Sequence, residues 1–556
     1  MVTQSQSSLP IPALQDPQSR GSESALPIIS SQFEVSEPLQ NTKAEKKGWP
    51  FRLAFFALAT VAFVSALDAT SLSIALPIIA RDLKGTTLES FCAGVSFLLT
   101  SVLFQPVHTA LSDIFGRKQI LYLCIVLFGL GSLVIGFSKC MTTLIAGRAI
   151  QGTGGGGLEA LAEIILTDIT TLAERPLYLG ILGFVWAGGS AFGPLVGGLF
   201  AELASWRWIA WINLPILLFP IVLVPLFLRL KTIPASLGSK FAQVDWVGMA
   251  LFIPGLTLFA LAITWAGSLY KWASAGTLAP LILGVLLLVA FGVYEGYAKT
   301  PMIPYWLFAT STRWGALLGA FLHGIILYTV LFYIPIYFEG VLGLEPIPGA
   351  VNALPLSVGV SLSAVVAAFA IEYVRRYSWS VWSGWLLATL GMGLFILFNA
   401  HTSLAQRLGL QIIGAIGLGI LFPALGIPLQ AATDEFQAGI AMGTFVFFRQ
   451  LGAVIGVALG SGIFGNRFAR EIAQVNLPAE LAGLANGYAA VSLIPTLKSL
   501  NLPRIEKLAI LDVYVDSTRA VWIAMTVICG IGLATCFAIR ELTLERVGTG
   551  KQAFQG

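Results

Sequence analysis

Beyond residue 50 the chain is built from apolar runs of about 20 residues, and this pattern constrains the fold more than any other feature. The runs lie near 51–79, 91–111, 119–137, 141–166, 177–200, 209–228, 246–266, 277–297, 315–338, 349–371, 380–399, 406–428, 440–464 and 518–539. Hydrocarbon offers a backbone no hydrogen-bond partner, so runs of this length cross a bilayer as helices. Only 11% of the 556 residues are charged and 56% are hydrophobic, against roughly 25% charged in soluble domains. The expectation is an all-α integral membrane protein with 14 transmembrane helices.

An even number of spans puts both termini on one side. Lys and Arg collect in the loops of that side, among them Arg52, Arg117, Lys118, Arg229, Lys231, Lys240, Arg313, Arg375 and Arg376. Cytoplasmic loops carry such an excess, so both termini are expected in the cytoplasm. The spans group as six, two and six. Residues 1–50, rich in Ser, Gln and Pro, read as a disordered cytoplasmic tail. Residues 51–230 form a first six-helix bundle, and 231–312 a linker with two inserted helices. Residues 313–540 form a second bundle that includes an extracellular loop at 465–517, and 541–556 a cytoplasmic tail.

Several function classes find no support. The net charge of +4 is spread along the chain, so no nucleic-acid groove is expected. The run Gly152–Gly157 has no preceding strand and no Gly-Lys-Ser/Thr after it, so no nucleotide is expected. The five cysteines are scattered, which gives neither a disulfide framework nor a metal site. No cofactor and no enzymatic activity are expected.

The stretch Gly147–Gly198 concentrates the chemistry. Glycines let membrane helices approach closely, while charges inside a span are costly and point to function. Asp68 lies mid-span in the first run, as a proton or substrate contact or a structural partner. Arg148 cannot lose its proton, but it can hold a nearby carboxylate ionised. Glu159 and Glu163 are four residues apart and share a helix face. Two close, buried carboxylates suit proton loading near neutral pH. Asp68, Arg148, Glu159 and Glu163 are the proton-coupling candidates. Arg449 and Gln450 lie mid-span in the thirteenth run, Arg449 as a structural pair or a substrate contact. His323 either titrates or is satisfied by a carbonyl. With Gln151, Tyr333 and Phe447, these complete the candidate substrate cavity. Trp186, Trp265, Phe332, Tyr337 and Phe448 are further aromatics for an apolar pocket. Pro335 is a candidate hinge.

Between the second and third runs stands Leu111-Ser112-Asp113-Ile114-Phe115-Gly116-Arg117-Lys118. Gly116 permits a positive φ, and Asp113 and Arg117 can clamp helix ends. The loop resembles the signature between the second and third helices of the major facilitator superfamily, with His108 where that signature opens with glycine. Arg148-Ala149-Ile150-Gln151-Gly152 resembles the fourth-helix motif, whose arginine is implied in proton handling. Gly189, Gly193, Pro194, Gly197 and Gly198 resemble the fifth-helix motif associated with antiporters. Leu67-Asp68-Ala69-Thr70, Trp206–Pro215 and Phe448-Arg449-Gln450-Leu451-Gly452 are similar to the fourteen-helix drug:proton antiporter branch. With Asp113, Gly116, Arg117 and Lys118, the glycine-proline residues are the expected gating elements. The resemblance implies two facing six-helix bundles plus two extra helices. It also implies proton-coupled efflux of amphipathic small molecules, most like the fungal toxin and drug exporters. The expected partners are a small-molecule substrate, protons and the lipid bilayer. The chain is expected to act as a monomer in the plasma membrane, with the vacuolar membrane as the alternative. The alternative function is uptake of a siderophore or other small solute.

Overall fold

A computed structural model describes residues 47–266, 270–475, 494, 504–545 and 550–555. The expected N-terminal tail lies outside the described residues, except where the first helix already begins. Among the described residues, fourteen helices have fifteen or more residues. They are α1 (Trp49–Asp82), α2 (Thr87–Phe115), α3 (Arg117–Gly136), α4 (Met141–Ile169), α5 (Arg175–Leu203), α6 (Asn213–Phe227) and α7 (Trp246–Trp265). The chain continues through α8 (Ala275–Glu295), α9 (Ser311–Gly340), α10 (Pro346–Val374), α11 (Ser378–Phe395), α12 (Leu404–Ala424), α13 (Ala438–Ile472) and α14 (Arg504–Thr535). Among the described residues, twelve helical spans are long and apolar enough to cross a membrane. The helices outside that set are α4, with its four charges and glycine run, and the 18-residue α11. The arrangement is compatible with the fourteen-span expectation.

Local sequence explains where the helices start. Pro50 opens α1, where its missing N–H costs nothing. Thr86 and Glu89 close a reciprocal capping box on α2, and Ser403 and Gln406 do the same on α12. Asp245 accepts the Gly248 N–H at 2.8 Å and caps α7. Leu286 and Val289 on α8 and Leu362 and Val366 on α10 are exposed, and in a membrane that surface meets lipid.

Successive helices run in alternate directions. The end where α1 begins is called basal here, and the opposite end apical. One set of pairings occurs twice. In the first half α1 packs on α5 and α6, and α4 on α2 and α3; in the second, α9 packs on α13 and α14, and α12 on α10 and α11. The halves meet where α2 and α4 touch α13, and where α5 touches α10 and α12. The inserted pair α7–α8 leans on α2 and α13 through α7.

The closest pairings depend on glycines four residues apart. A Cβ on Gly189 of α5 would stand 2.6 Å from the Phe63 carbonyl oxygen of α1, and one on Gly193 2.7 Å from that of Leu67. A Cβ on Gly197 would overlap the Ser71 carbonyl. Pro194 and Gly198, also expected in this element, are half-buried on the same helix. In the second half Gly452, Gly456 and Gly460 of α13 do the same against Phe321, Ile325 and Tyr333 of α9. This second stripe was not among the sequence expectations.

Two boundaries differ from expectation. The thirteenth run was read as 440–464 and the last as 518–539, but α13 extends to Ile472 and α14 begins at Arg504. The expected outer loop 465–517 is therefore helical at both ends, and 476–493 and 495–503 lie outside the described residues. The extensions carry charges that apolar-run counting excludes. They support themselves with an Arg467–Glu471 pair at 2.9 Å and an Arg519–Asp516 pair at 2.7 Å. In the linker, Ser236 caps a short helix, Leu237–Ala242, that was not expected.

At the apical end, the Trp206 indole (2.9 Å) and Arg207 (3.1 Å) donate to Asp82, and Arg207 also reaches the Ser138 carbonyl at 3.1 Å. These hydrogen bonds, Trp206 first, hold the Asp82 carboxyl below its ordinary value.

Candidate functional site

The candidate residues fall into three groups. The first lies inside one half. Arg148 of α4 donates to Asp68 of α1 at 2.5 Å and to the Gln151 side-chain oxygen at 2.7 Å. Gln151 donates to Asp68 at 3.0 Å and to Ser132 of α3 at 2.8 Å. Asn213 of α6 donates to Asp68 at 2.7 Å. The Arg148 guanidinium stands 4.4 Å from the centre of the Phe97 ring. Asp68 and Arg148 are each only 2% exposed, so one carboxylate ties α1, α4 and α6 together in the apical half, and Gln151 links them to α3. Ser132 was not among the expected residues, and Asn213 only as part of the Trp206–Pro215 motif. Each is a lone polar group in an apolar run, which was the available signal.

Removing one member of such a pair leaves a buried charge uncompensated. Arg148→Ala is therefore expected to cost about 3–5 kcal/mol and to lower the thermal midpoint of the purified protein. Combining Asp68→Asn with Arg148→Gln should recover much of that loss. A midpoint for Arg148→Ala equal to that of the wild type would contradict this assignment.

The second group crosses between the halves. Arg449 of α13 donates to Glu163 of α4 at 2.5 Å and lies 3.6 Å from Glu159. Gln450 donates to Glu159 at 2.5 Å, and Gln105 of α2 reaches the same oxygen at 3.4 Å. The Arg449 guanidinium stands 4.6 Å from the centre of the Phe422 ring. Trp186 lies beside Phe422 and Tyr328, with ring centres 6.4 and 6.0 Å apart. Ala62, Leu182 and Gly183 complete the surround. The space left there is about 10 Å³, room for about one water. A larger hollow of about 550 Å³ lies between α10 and α12 at the apical end, lined by residues such as Val351, Leu354, Val358 and Leu404. None of the residues lining it is charged.

The Asp68–Arg148 and Glu163–Arg449 clusters are separate: along α4, Arg148 and Glu159 are eleven residues apart, about 16 Å. Gln151, expected at the cavity, belongs to the Asp68 cluster. His323 faces the Leu418 carbonyl at 3.0 Å and is 1% exposed. Tyr333 packs on Phe464, and Phe447 on Phe252 of the inserted pair. Neither reaches the Glu163–Arg449 cluster, because each occupies a different face of its helix.

The third group closes the basal end. Gly116 has φ +113°, a left-handed conformation that favours glycine. It turns the chain so that Arg117, fully buried, donates to Asp168 at 3.0 Å, to Ser112 at 2.8 Å and to Asp113 at 2.8 Å. Gly439, at the start of α13, lies so close that a Cβ there would overlap the Arg117 guanidinium. A Cβ on Gly443 would overlap Thr109. Arg175 of α5 donates to Gln430 of the second half at 3.1 Å. Lys118 stands apart, donating to the Pro225 carbonyl at 3.4 Å.

Two repeated six-helix halves, a buried charge cluster between them and a tightly packed basal closure define a multi-pass membrane transporter. Residues 58–457 match the Major Facilitator Superfamily, and the chain belongs to that superfamily. It is 41% identical over 521 residues to the MFS-type transporter sphD of Aspergillus fumigatus, covering 92% of this chain and 89% of that protein. It is 32% identical over 504 residues to the efflux pump FUS6 of Gibberella fujikuroi, covering 90% and 91%. Among solved structures, the human organic anion transporter MFSD10 superposes with a TM-score of 0.55 at 14% identity, covering 81% of this chain and 99% of that one. That last likeness bears on the fold alone.

Proposed function

We propose that this chain exports an amphipathic small molecule, a secondary metabolite or toxin, across the plasma membrane in exchange for protons. The observation that carries this reading is the Glu163–Arg449 pair, with Glu159 and Gln450 beside it, buried between the two halves. Alternating access requires the halves to part at one end and then at the other. A charge pair across that seam is made in one arrangement and strained or broken in another. Protonating Glu163 or Glu159 removes the charge that Arg449 holds, so the proton has different affinities in the two states. That difference is what lets a gradient bias the cycle. The aromatic surround of Trp186, Tyr328 and Phe422 suits an apolar substrate body.

In this reading the basal end is cytoplasmic, supported by the Lys and Arg excess of its loops, and the structure is a state closed on that side. The transporter works as a monomer and takes no nucleotide. The name of the efflux pump FUS6 supports export over uptake.

The test uses inside-out plasma-membrane vesicles with an acidic lumen and a panel of labelled fungal metabolites and drugs. Accumulation that collapses on adding an uncoupler is the expected result. Failure of the whole panel, with uptake of a siderophore complex into intact cells, would overturn the direction.

A further inference from the structure

The described residues beyond α14 pack against the body of the protein. Glu541 accepts the backbone N–H groups of Tyr377 (3.1 Å) and Ser378 (3.0 Å) at the start of α11. The Tyr377 hydroxyl donates to the Arg540 carbonyl at 2.6 Å and accepts the Leu542 N–H at 2.9 Å. Leu544 is 1% exposed. This part of the segment belongs to the second half.

Residues 550–555 are seated on the first half. The Gln552 side-chain oxygen accepts the Arg117 backbone N–H at 3.0 Å, and its amide nitrogen donates to the Ser112 carbonyl at 3.4 Å. Lys551 donates to Asp113 at 2.7 Å, the carboxylate that Arg117 also holds. Gly550 packs directly on Asp168. Phe554 forms an antiparallel bridge with Leu230, flanked by Lys231 N–H to Ala553 O at 3.1 Å and Gln555 N–H to Arg229 O at 2.8 Å. Its ring meets Phe51 of α1 edge-on at 6.0 Å. Gln552 is 2% exposed, so it is a built part of the basal closure rather than a surface contact.

We propose that the segment Gly550–Gln555 is a working part of the transport gate. It fastens the basal end of the first half, through Asp113 and Arg117, to the stretch Arg540–Leu544 held on the second half, and it must leave those groups for the basal entrance to open. The inference rests on the transporter reading above. Its residues contribute gating, not substrate binding. Lys551 shares Asp113 with Arg117, and Gln552 caps the N–H that starts α3. Unseating the segment therefore loosens the same turn that holds α13 through Gly439. The charge on Lys551 makes the closure sensitive to substitution.

Two experiments test it, both in a variant whose five native cysteines are replaced and which has been shown to transport. In the first, Leu230→Cys and Phe554→Cys are introduced together. These residues form a non-hydrogen-bonded antiparallel pair, whose Cα spacing of about 4.5 Å suits a disulfide. Oxidation is expected to stop transport and reduction to restore it, while Leu230→Cys alone is indifferent to both. Undiminished transport in fully cross-linked protein would overturn the proposal.

The second needs no substrate. Thr109→Cys reports on the basal seam, since Thr109 is 1% exposed and packed against Gly443. Adding Lys551→Glu with Gln552→Ala should raise its rate of maleimide labelling about tenfold, the population change that 1.4 kcal/mol produces. An unchanged rate would also overturn the proposal. If the substrate panel fails but the labelling rate rises, the assignment of substrate and direction falls while the gate stands.

Discussion

Arg449→Ala is expected to abolish proton-driven transport and to destabilise the protein by about 3–5 kcal/mol. The side chain is only 5% exposed, and the Glu163 and Glu159 side chains beside it are 8% and 10% exposed. Removing the guanidinium leaves two carboxylates facing each other with no cation, in a setting where a single charge is already expensive. Without the cation the charge pair across the seam is gone, and no step is left for the gradient to drive. Arg449→Lys should rescue part of the stability and little of the transport, because an ammonium is a point charge and cannot reproduce a guanidinium fork. Combining Arg449→Gln with Glu163→Gln should recover stability further, without recovering coupling. The thermal midpoint of detergent-purified protein and uncoupler-sensitive flux read the two effects separately. Wild-type flux in Arg449→Ala would remove Arg449 from the mechanism.

The second large effect is expected at the glycine stripes. Gly193→Leu places a branched side chain where even a Cβ would lie 2.7 Å from the Leu67 carbonyl oxygen, and Gly456→Leu does so against Ile325. Overpacking of this kind typically costs about 1–3 kcal/mol or more. Here it separates α1 from α5, or α9 from α13, the pairings that hold each half together. Alanine at either position should be milder, and leucine should remove most of the monodisperse protein. Gly530→Leu is the matched control, since nothing lies within 4 Å of a Cβ there. Size-exclusion yield at constant expression measures all three. Normal yield and transport for Gly193→Leu would show that the helix approach is not needed. Because the two stripes are equivalent by the repeated pairing, Gly193→Leu and Gly456→Leu should fail alike.

The sequence carried the architecture because lipid imposes one repeated solution on every apolar run. It carried helix ends less well. Arg467, Glu471, Asp512 and Asp516 lie on helical turns beyond the apolar stretches, where counting hydrophobic residues finds nothing. Asp68, Arg148, Glu159, Glu163 and Arg449 were each visible as charges in apolar surroundings. Their pairing was not, because Glu163 and Arg449 are 286 residues apart and no local pattern links them. Asp68 and Arg148 were both named as proton-coupling candidates, but no local pattern showed the direct bond between two residues 80 apart in the chain. The basal turn was legible through Gly116 and Arg117. Lys551 and Gln552 were not, since a short polar tail says nothing about where it docks.

The central claim is that protons act on the carboxylates between the halves. The most direct measurement is accumulation of a transported metabolite in acid-loaded inside-out vesicles, wild type beside Glu163→Gln, each with and without an uncoupler. The expected result is uncoupler-sensitive accumulation for the wild type. Glu163→Gln should show none, while still exchanging labelled for unlabelled metabolite across the membrane. Uncoupler-sensitive accumulation by Glu163→Gln at the wild-type level would contradict the account.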